Sequence, residues 1–237
     1  MSAEIGIYGK LPAHGDFVGR HFSNEFIQVW DDWLQRCLAT SQDQMAEHWL
    51  DIYLTSPIWR FVLSPGIIDS QAWVGIMMPS VDQVGRYFPL TFALPISGDV
   101  SSHVIMARGN EWFSQIERVA LAALDEALNV DVVDERLAEC DRPRWPRVQV
   151  AQDLRFPWVS KLANEAMTPS ASYPYLMDAY VKQQFPTHSL WWTQGSERVP
   201  PSFLTAPGLP MASSFAALMD GHWEHWQWYS PSQVVSE

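Results

Sequence analysis

Apolar residues recur every three or four positions in two stretches of the chain. Phe26, Trp30, Trp33 and Cys37 keep that spacing, while Asp31, Asp32, Gln35 and Arg36 mostly fill the other side. The spacing predicts an amphipathic helix over about residues 24–39. Ser23 or Asn24 is placed to cap it, with Glu25 in the first turn. Trp112, Ile116, Val119, Ala123 and Ala127 repeat the pattern, which predicts a second helix capped at Gly109-Asn110 and ending near Leu128. Residues 42–55 read as helical or turn-rich, 131–140 as one further short helix, and 212–219 as another that ends near Gly221.

Between these stretches the apolar runs are short, β-branched or aromatic, and bounded by turn residues. They predict strands at 4–8, 58–63, 73–78, 87–96 and 189–194. Pro89 and Pro95 confine the strand at 87–96 to an edge, a strand start or a bulge. The connection 79–86 is short enough for an antiparallel hairpin. Helices interleaved with hairpin-linked strands give an α/β fold of the α+β kind. The expected form is a layered sandwich, with a largely antiparallel central sheet and helices packed on its faces. At 237 residues one such domain is expected. A sub-boundary is possible near 141–147, where Arg142-Pro143-Arg144-Trp145-Pro146-Arg147 ends the preceding helix. That run is the only basic cluster, so it is also a candidate dock for an acidic segment.

Composition narrows the function classes. Net charge is −12, which disfavours nucleic acid and anionic membrane surfaces and suits a soluble cytosolic protein. Hydrophobic residues make up 47% and tryptophans number thirteen, enough for an aromatic-rich core with some left for a partner surface. Cys37 and Cys140 are too far apart for a C-x-x-C site and read as small apolar residues. No basic run leads into an apolar stretch at the N-terminus, so no secretory signal is expected. The uncharged run 199–219 contains Pro200, Pro201, Pro207 and Pro210 and reads as a loop entering a helix, not a membrane span.

The search for chemistry is mostly negative. Gly9-Lys10 is followed by Leu11, so the hydroxyl of a phosphate-binding P-loop is missing, and Gly6, Gly9 and Gly15 miss the dinucleotide spacing. No G-x-S-x-G elbow exists. His222 and His225 are three apart, not the four of a zincin helix, and need a third ligand from elsewhere. No cofactor or metal is expected. What remains is a polar set in two glycine- and proline-shaped loops: Lys10, His14, Asp16 and Arg20 in one, Asp82 and Arg86 in the other.

Two readings of that set stay open. As an architectural clamp, Asp16 or Asp82 accepts hydrogen bonds from Arg86 or Arg20, and Asp16→Ala unfolds the protein. As an interaction site, Lys10, Arg20 and Arg86 face an acidic or phosphorylated partner segment, and Lys10→Ala leaves the fold intact. A hydrolase using Lys10, His14 and Asp16, or a ligand sensor lined by tryptophans, are the alternatives from other classes.

The same loops carry a resemblance. Gly9-Lys10-Leu11-Pro12 with Gly15-Asp16-Phe17 resembles the N-terminal signature of the TagF (ImpM) family of the bacterial type VI secretion system. A second block agrees, Trp73 to Asp82 followed by Val84-Gly85-Arg86-Tyr87-Phe88-Pro89-Leu90-Thr91. The likeness covers about the first hundred residues. It implies a layered sheet-and-helix fold and a non-enzymatic, post-translational negative regulator. In that family repression is exerted in the cytoplasm through the forkhead-associated scaffold protein Fha.

Overall fold

The structure is a computed structural model that describes residues 4–125, 127–141, 143, 145, 159, 161 and 168–230. Among the described residues seven strands form one sheet: β1 (Gly6–Gly9), β2 (Val18–Arg20), β3 (Trp59–Leu63), β4 (Ala72–Met78), β5 (Leu90–Ile96), β6 (His188–Thr193) and β7 (Ser202–Pro207). Their spatial order is β2-β1-β5-β4-β3-β6-β7, and every pairing is antiparallel.

Alternation along the strands builds a core on each face, because successive side chains point to opposite sides. Trp59, Phe61 and Leu63 of β3, Trp73 and Met77 of β4 and Trp191 of β6 share one core. The helices α1 (Asn24–Met45), α2 (Trp49–Leu54) and α7 (Ala217–Asp220) cover it. Val62, Val74, Ile76, Met78, Phe92, Leu94 and Trp192 share the other. There α3 (Ser102–Arg108), α4 (Asn110–Asp125) and α5 (Val130–Ala138) pack. Helix α6 (Tyr173–Gln184) packs on α3.

The predicted stripe of α1 is fully buried, and Ser23 caps it by accepting a 3.1 Å bond from the Phe26 amide. The helix runs six residues past the predicted end because tertiary partners hold its last turns. Ser41 accepts from the Trp49 indole at 2.9 Å, and Gln44 donates to the Ser213 carbonyl at 2.8 Å. Tryptophan is mainly core material: Trp30 lies within 5 Å of the Trp33 and Phe61 rings, centroid to centroid.

Four expectations need correction. Asn110 does not cap α4; its side chain accepts instead from Arg60 at 2.8 Å, while the Gly109 carbonyl takes the first helical bond. The strand carrying Pro95 is central, not an edge. It tolerates the proline because β1 pairs only with Thr91, Phe92 and Ala93, so the far end of β5 has one open side. The run 199–219 contains β7, paired with β6 over its whole length. The short helix expected at 212–219 is divided into a 3₁₀ turn (Ala212–Ser214) and α7.

Strands β6 and β7, from beyond residue 147, extend the same sheet through β3. Arg142, Arg144, Pro146 and Arg147 of the basic run lie outside the described residues.

Candidate functional site

The two motif loops meet beside β1 and β5. Gly9 has a φ of +135°, and a Cβ there would sit 2.1 Å from the Pro89 carbonyl oxygen. Only glycine lets the first loop leave the sheet against the end of the second. From that joint Lys10 turns inward. Its ammonium donates to Asp82 at 2.5 Å and lies 4.5 Å from the centroid of the Phe17 ring. Its carbonyl accepts from the Ser80 hydroxyl at 2.6 Å, and Ser80 is held in turn by Tyr53.

Asp82 is the centre of the arrangement. One carboxylate oxygen accepts from the Val84 and Arg86 amides at 3.0 and 2.8 Å, which closes the turn. The other accepts from Lys10 and from Arg86 Nε at 2.7 Å. Burial alone would push this carboxyl up. The bonds from Lys10, from the Arg86 amide and guanidinium and from the Val84 amide outweigh it and hold the group well below the usual carboxylate range. The Arg86 guanidinium also donates to the Gly15 carbonyl and approaches Asp16 at 3.5 Å. Gln83 N–H donates to the His14 carbonyl at 2.9 Å, a second tie between the loops.

The structure therefore brings together Lys10, Asp82, Arg86 and the edge of Asp16. Arg20 and His14 go elsewhere. Arg20 pairs at 3.0 Å with Asp131 on α5, and His14 Nε2 accepts the Val130 amide at 2.9 Å at the start of that helix. The expected roles of two residues are exchanged. Asp16 is 98% exposed at its side chain and cannot anchor the fold, whereas Lys10 is shielded and cannot face a partner. Charge alone did not separate them, because lysine and aspartate are both usually exposed. Sequence reasoning also missed Tyr53, Ser80 and Phe17; Pro79-Ser80 inside the second block was the available signal. What the loops present outward is Phe17, Val84, Asp16 and part of Arg86.

Among the described residues no cluster of three or more His, Cys, Asp or Glu side chains could hold a metal. His222 is partnered by Asp220 at 3.2 Å. Burial pushes the Cys37 thiol up, so it is not a reactive thiolate. None of the described helices is long and apolar enough to cross a membrane.

Comparison with curated proteins gives no match. Among solved structures, PA0076 from Pseudomonas aeruginosa PAO1 is 33% identical, with a TM-score of 0.78 over 99% of this chain and 98% of that one. Residues 6–140, which hold both motif loops and five of the seven strands, match the TagF N-terminal domain, type VI secretion system-associated. By that match over more than half its length, the chain belongs to the TagF family of type VI secretion system-associated proteins.

Proposed function

We propose that this TagF-family chain is a post-translational negative regulator of type VI secretion that acts in the cytoplasm by binding the scaffold protein Fha. It works by occupancy: the bound scaffold cannot assemble or fire the machine, and no turnover is needed. The family carries the link to secretion. The observation that carries the mode of action is the buried Lys10–Asp82 pair, bridged to the half-exposed Arg86. Lys10, which the hydrolase reading would need free, is committed with Asp82 to holding two loops in one shape. Such preorganisation lowers the cost of binding.

On this reading the partner meets the outward side of the loops. Val84 is 68% exposed at the tip of its turn, and the 98% exposed Asp16 side chain makes only a 3.5 Å contact with Arg86. The test is co-expression with Fha, followed by capture and by measurement of secreted protein in the medium. Wild type should hold Fha at near-equal ratio and depress secretion. Val84→Glu and Asp16→Arg should leave the melting temperature unchanged, weaken capture at least tenfold and release secretion. A wild type that captures no Fha sinks the reading. Variants that capture as well as wild type move the contact off these loops.

A further inference from the structure

Among the described residues β7 ends the sheet. Which of its groups point outward follows from β6. The His188 amide and carbonyl both turn toward β3, where they bond the Ser64 hydroxyl at 2.8 Å and the Ser64 amide at 2.9 Å. Alternation then turns Ser189, Trp191 and Thr193 toward β7. Their partners Ala206, Leu204 and Ser202 face inward, so Phe203 and Thr205 face outward. Among the described residues no strand pairs with them on that side, and no loop or side chain takes their amides. The next outward positions along the strand are Pro201 and Pro207, which have no N–H to offer.

An edge with free amides and carbonyls is a pairing site, and this one matches itself. About Leu204 its outward positions are symmetric: Phe203 mirrors Thr205, and Pro201 mirrors Pro207. Two antiparallel copies in that register satisfy every outward amide and carbonyl of Phe203 and Thr205, and set proline against proline. A shift of two residues either way would leave the Thr205 or the Phe203 carbonyl facing a proline that has no donor. Charge permits the contact. The chain carries −12, yet β7 has no charged residue, and the two on α6, Asp178 and Lys182, pair with each other at 2.8 Å. The Phe203 ring lies 6.3 Å from that of His103, centroid to centroid, and His103 meets Asp178 at 3.4 Å. Phe203 and α6 therefore share one face of the sheet. Phe203 and the α6 residues Tyr173, Met177 and Tyr180 are about half to two-thirds exposed. At roughly 150–250 Å² per large side chain they offer about 400 Å² per copy. Twice that, with two strand backbones added, approaches the roughly 1,200 Å² at which specific interfaces begin.

We infer that a second copy of this chain pairs with the outer side of β7, antiparallel about Leu204, and joins two sheets into one. The two Phe203 side chains become diagonal neighbours on one face, and the two α6 helices approach each other on that face. The motif loops stand beside β1 and β5, with β4, β3 and β6 between them and the joint. Pairing leaves both sets of loops uncovered, one toward each far end, and does not depend on what they bind.

The experiment uses the full chain in sedimentation equilibrium. Twice the monomer mass should predominate above a Kd on the order of 10 μM, as suits an interface at the small end of the specific range. Thr205→Pro removes an N–H that meets nothing within one copy. It should hold the melting temperature within about 2 °C and raise that Kd at least tenfold. Disulfide trapping reads the register, in a Cys140→Ser background with the buried Cys37 kept. An equimolar mixture of Phe203→Cys and Thr205→Cys puts its thiols on directly opposed residues, about 5.5 Å apart at Cα and within disulfide reach. Under oxidised glutathione it should form a covalent dimer at least tenfold faster than Phe203→Cys alone, whose thiols sit on diagonal residues about 7–8 Å apart. Monomer mass at about 100 μM overturns the inference, as does a dimer that Thr205→Pro leaves intact. So does trapping as fast with Phe203→Cys alone as in the mixture. Should Thr205→Pro unfold the chain, the trapping rates decide by themselves.

Discussion

At the scale of single residues, environment decides what a charge does. Lys10 and Asp16 lie six positions apart in one loop, yet one is sealed against Asp82 and Phe17 and the other stands in water. An exposed ion pair contributes little, while removing one partner of a shielded pair leaves the other charge without compensation. Lys10→Ala should therefore lower the melting temperature by on the order of 10 °C. Asp16→Ala should change it by less than about 2 °C. Differential scanning calorimetry of both variants checks this; equal effects would mean that the network does not hold the loops. The sequence showed these residues as one polar set, and their chemistry was legible. Their order of importance was not, since nothing local marks which lysine meets a ring and a carboxylate from 72 positions away.

Between elements, the joint most exposed to mutation is that of β3 and α4. Arg60 points out of a strand that is otherwise wholly apolar. It grips Glu117 through two bonds of 2.6 and 2.7 Å, takes Asn110 at 2.8 Å and lies over the Phe113 ring. This planar, two-point grip is what a guanidinium does and an ammonium does not. Arg60→Ala leaves Glu117 largely buried without its cation and should cost about 3 kcal/mol, whereas Arg60→Lys should recover less than half. Urea unfolding with an unchanged slope gives the number, and a loss below about 1 kcal/mol would contradict it. The elements themselves show where sequence reading works. The stripe of α1 and the strands β3, β4 and β6 were visible because their periods are local. By contrast, α3, α6, β7 and the short β2, which lies inside the stretch read as the first loop, were not recognised. The Ser101 cap of α3 was a usable signal. For α6, however, three large apolar side chains at helical spacing, Tyr173, Met177 and Tyr180, face solvent, so its pattern does not report a buried side.

For the whole molecule, the buried titratable groups set a pH dependence. Burial holds His188 neutral and lowers its pKa below the ordinary 6.5, so beneath that pH the unfolded chain binds more protons than the folded one. Stability must then fall as pH drops. Asp178, opposed by burial but held by His103 and Lys182, and Asp82 both have depressed pKa values. Their contribution is complete above about 4 and is lost as acid approaches those folded-state values. The midpoint of urea unfolding should therefore decline gently between pH 7 and 5 and steeply below about 4. His188→Gln should flatten the first limb alone. A wild-type midpoint that is constant from pH 7 to 5, or a first limb that His188→Gln leaves in place, would refute the assignment.

Read alone, the sequence determined what is periodic or contiguous: the amphipathic helices, most of the strands, the antiparallel layered class and the two glycine-shaped motif loops with their family likeness. These follow from spacings of two to four residues, which the chain carries in itself. Tertiary structure alone decided which charge is buried, that Arg20 and His14 serve α5 instead of the clamp, and that Pro95 can sit in a central strand. Each of those depends on a partner brought from tens of positions away, and burial and pairing energies exist only once that partner has arrived.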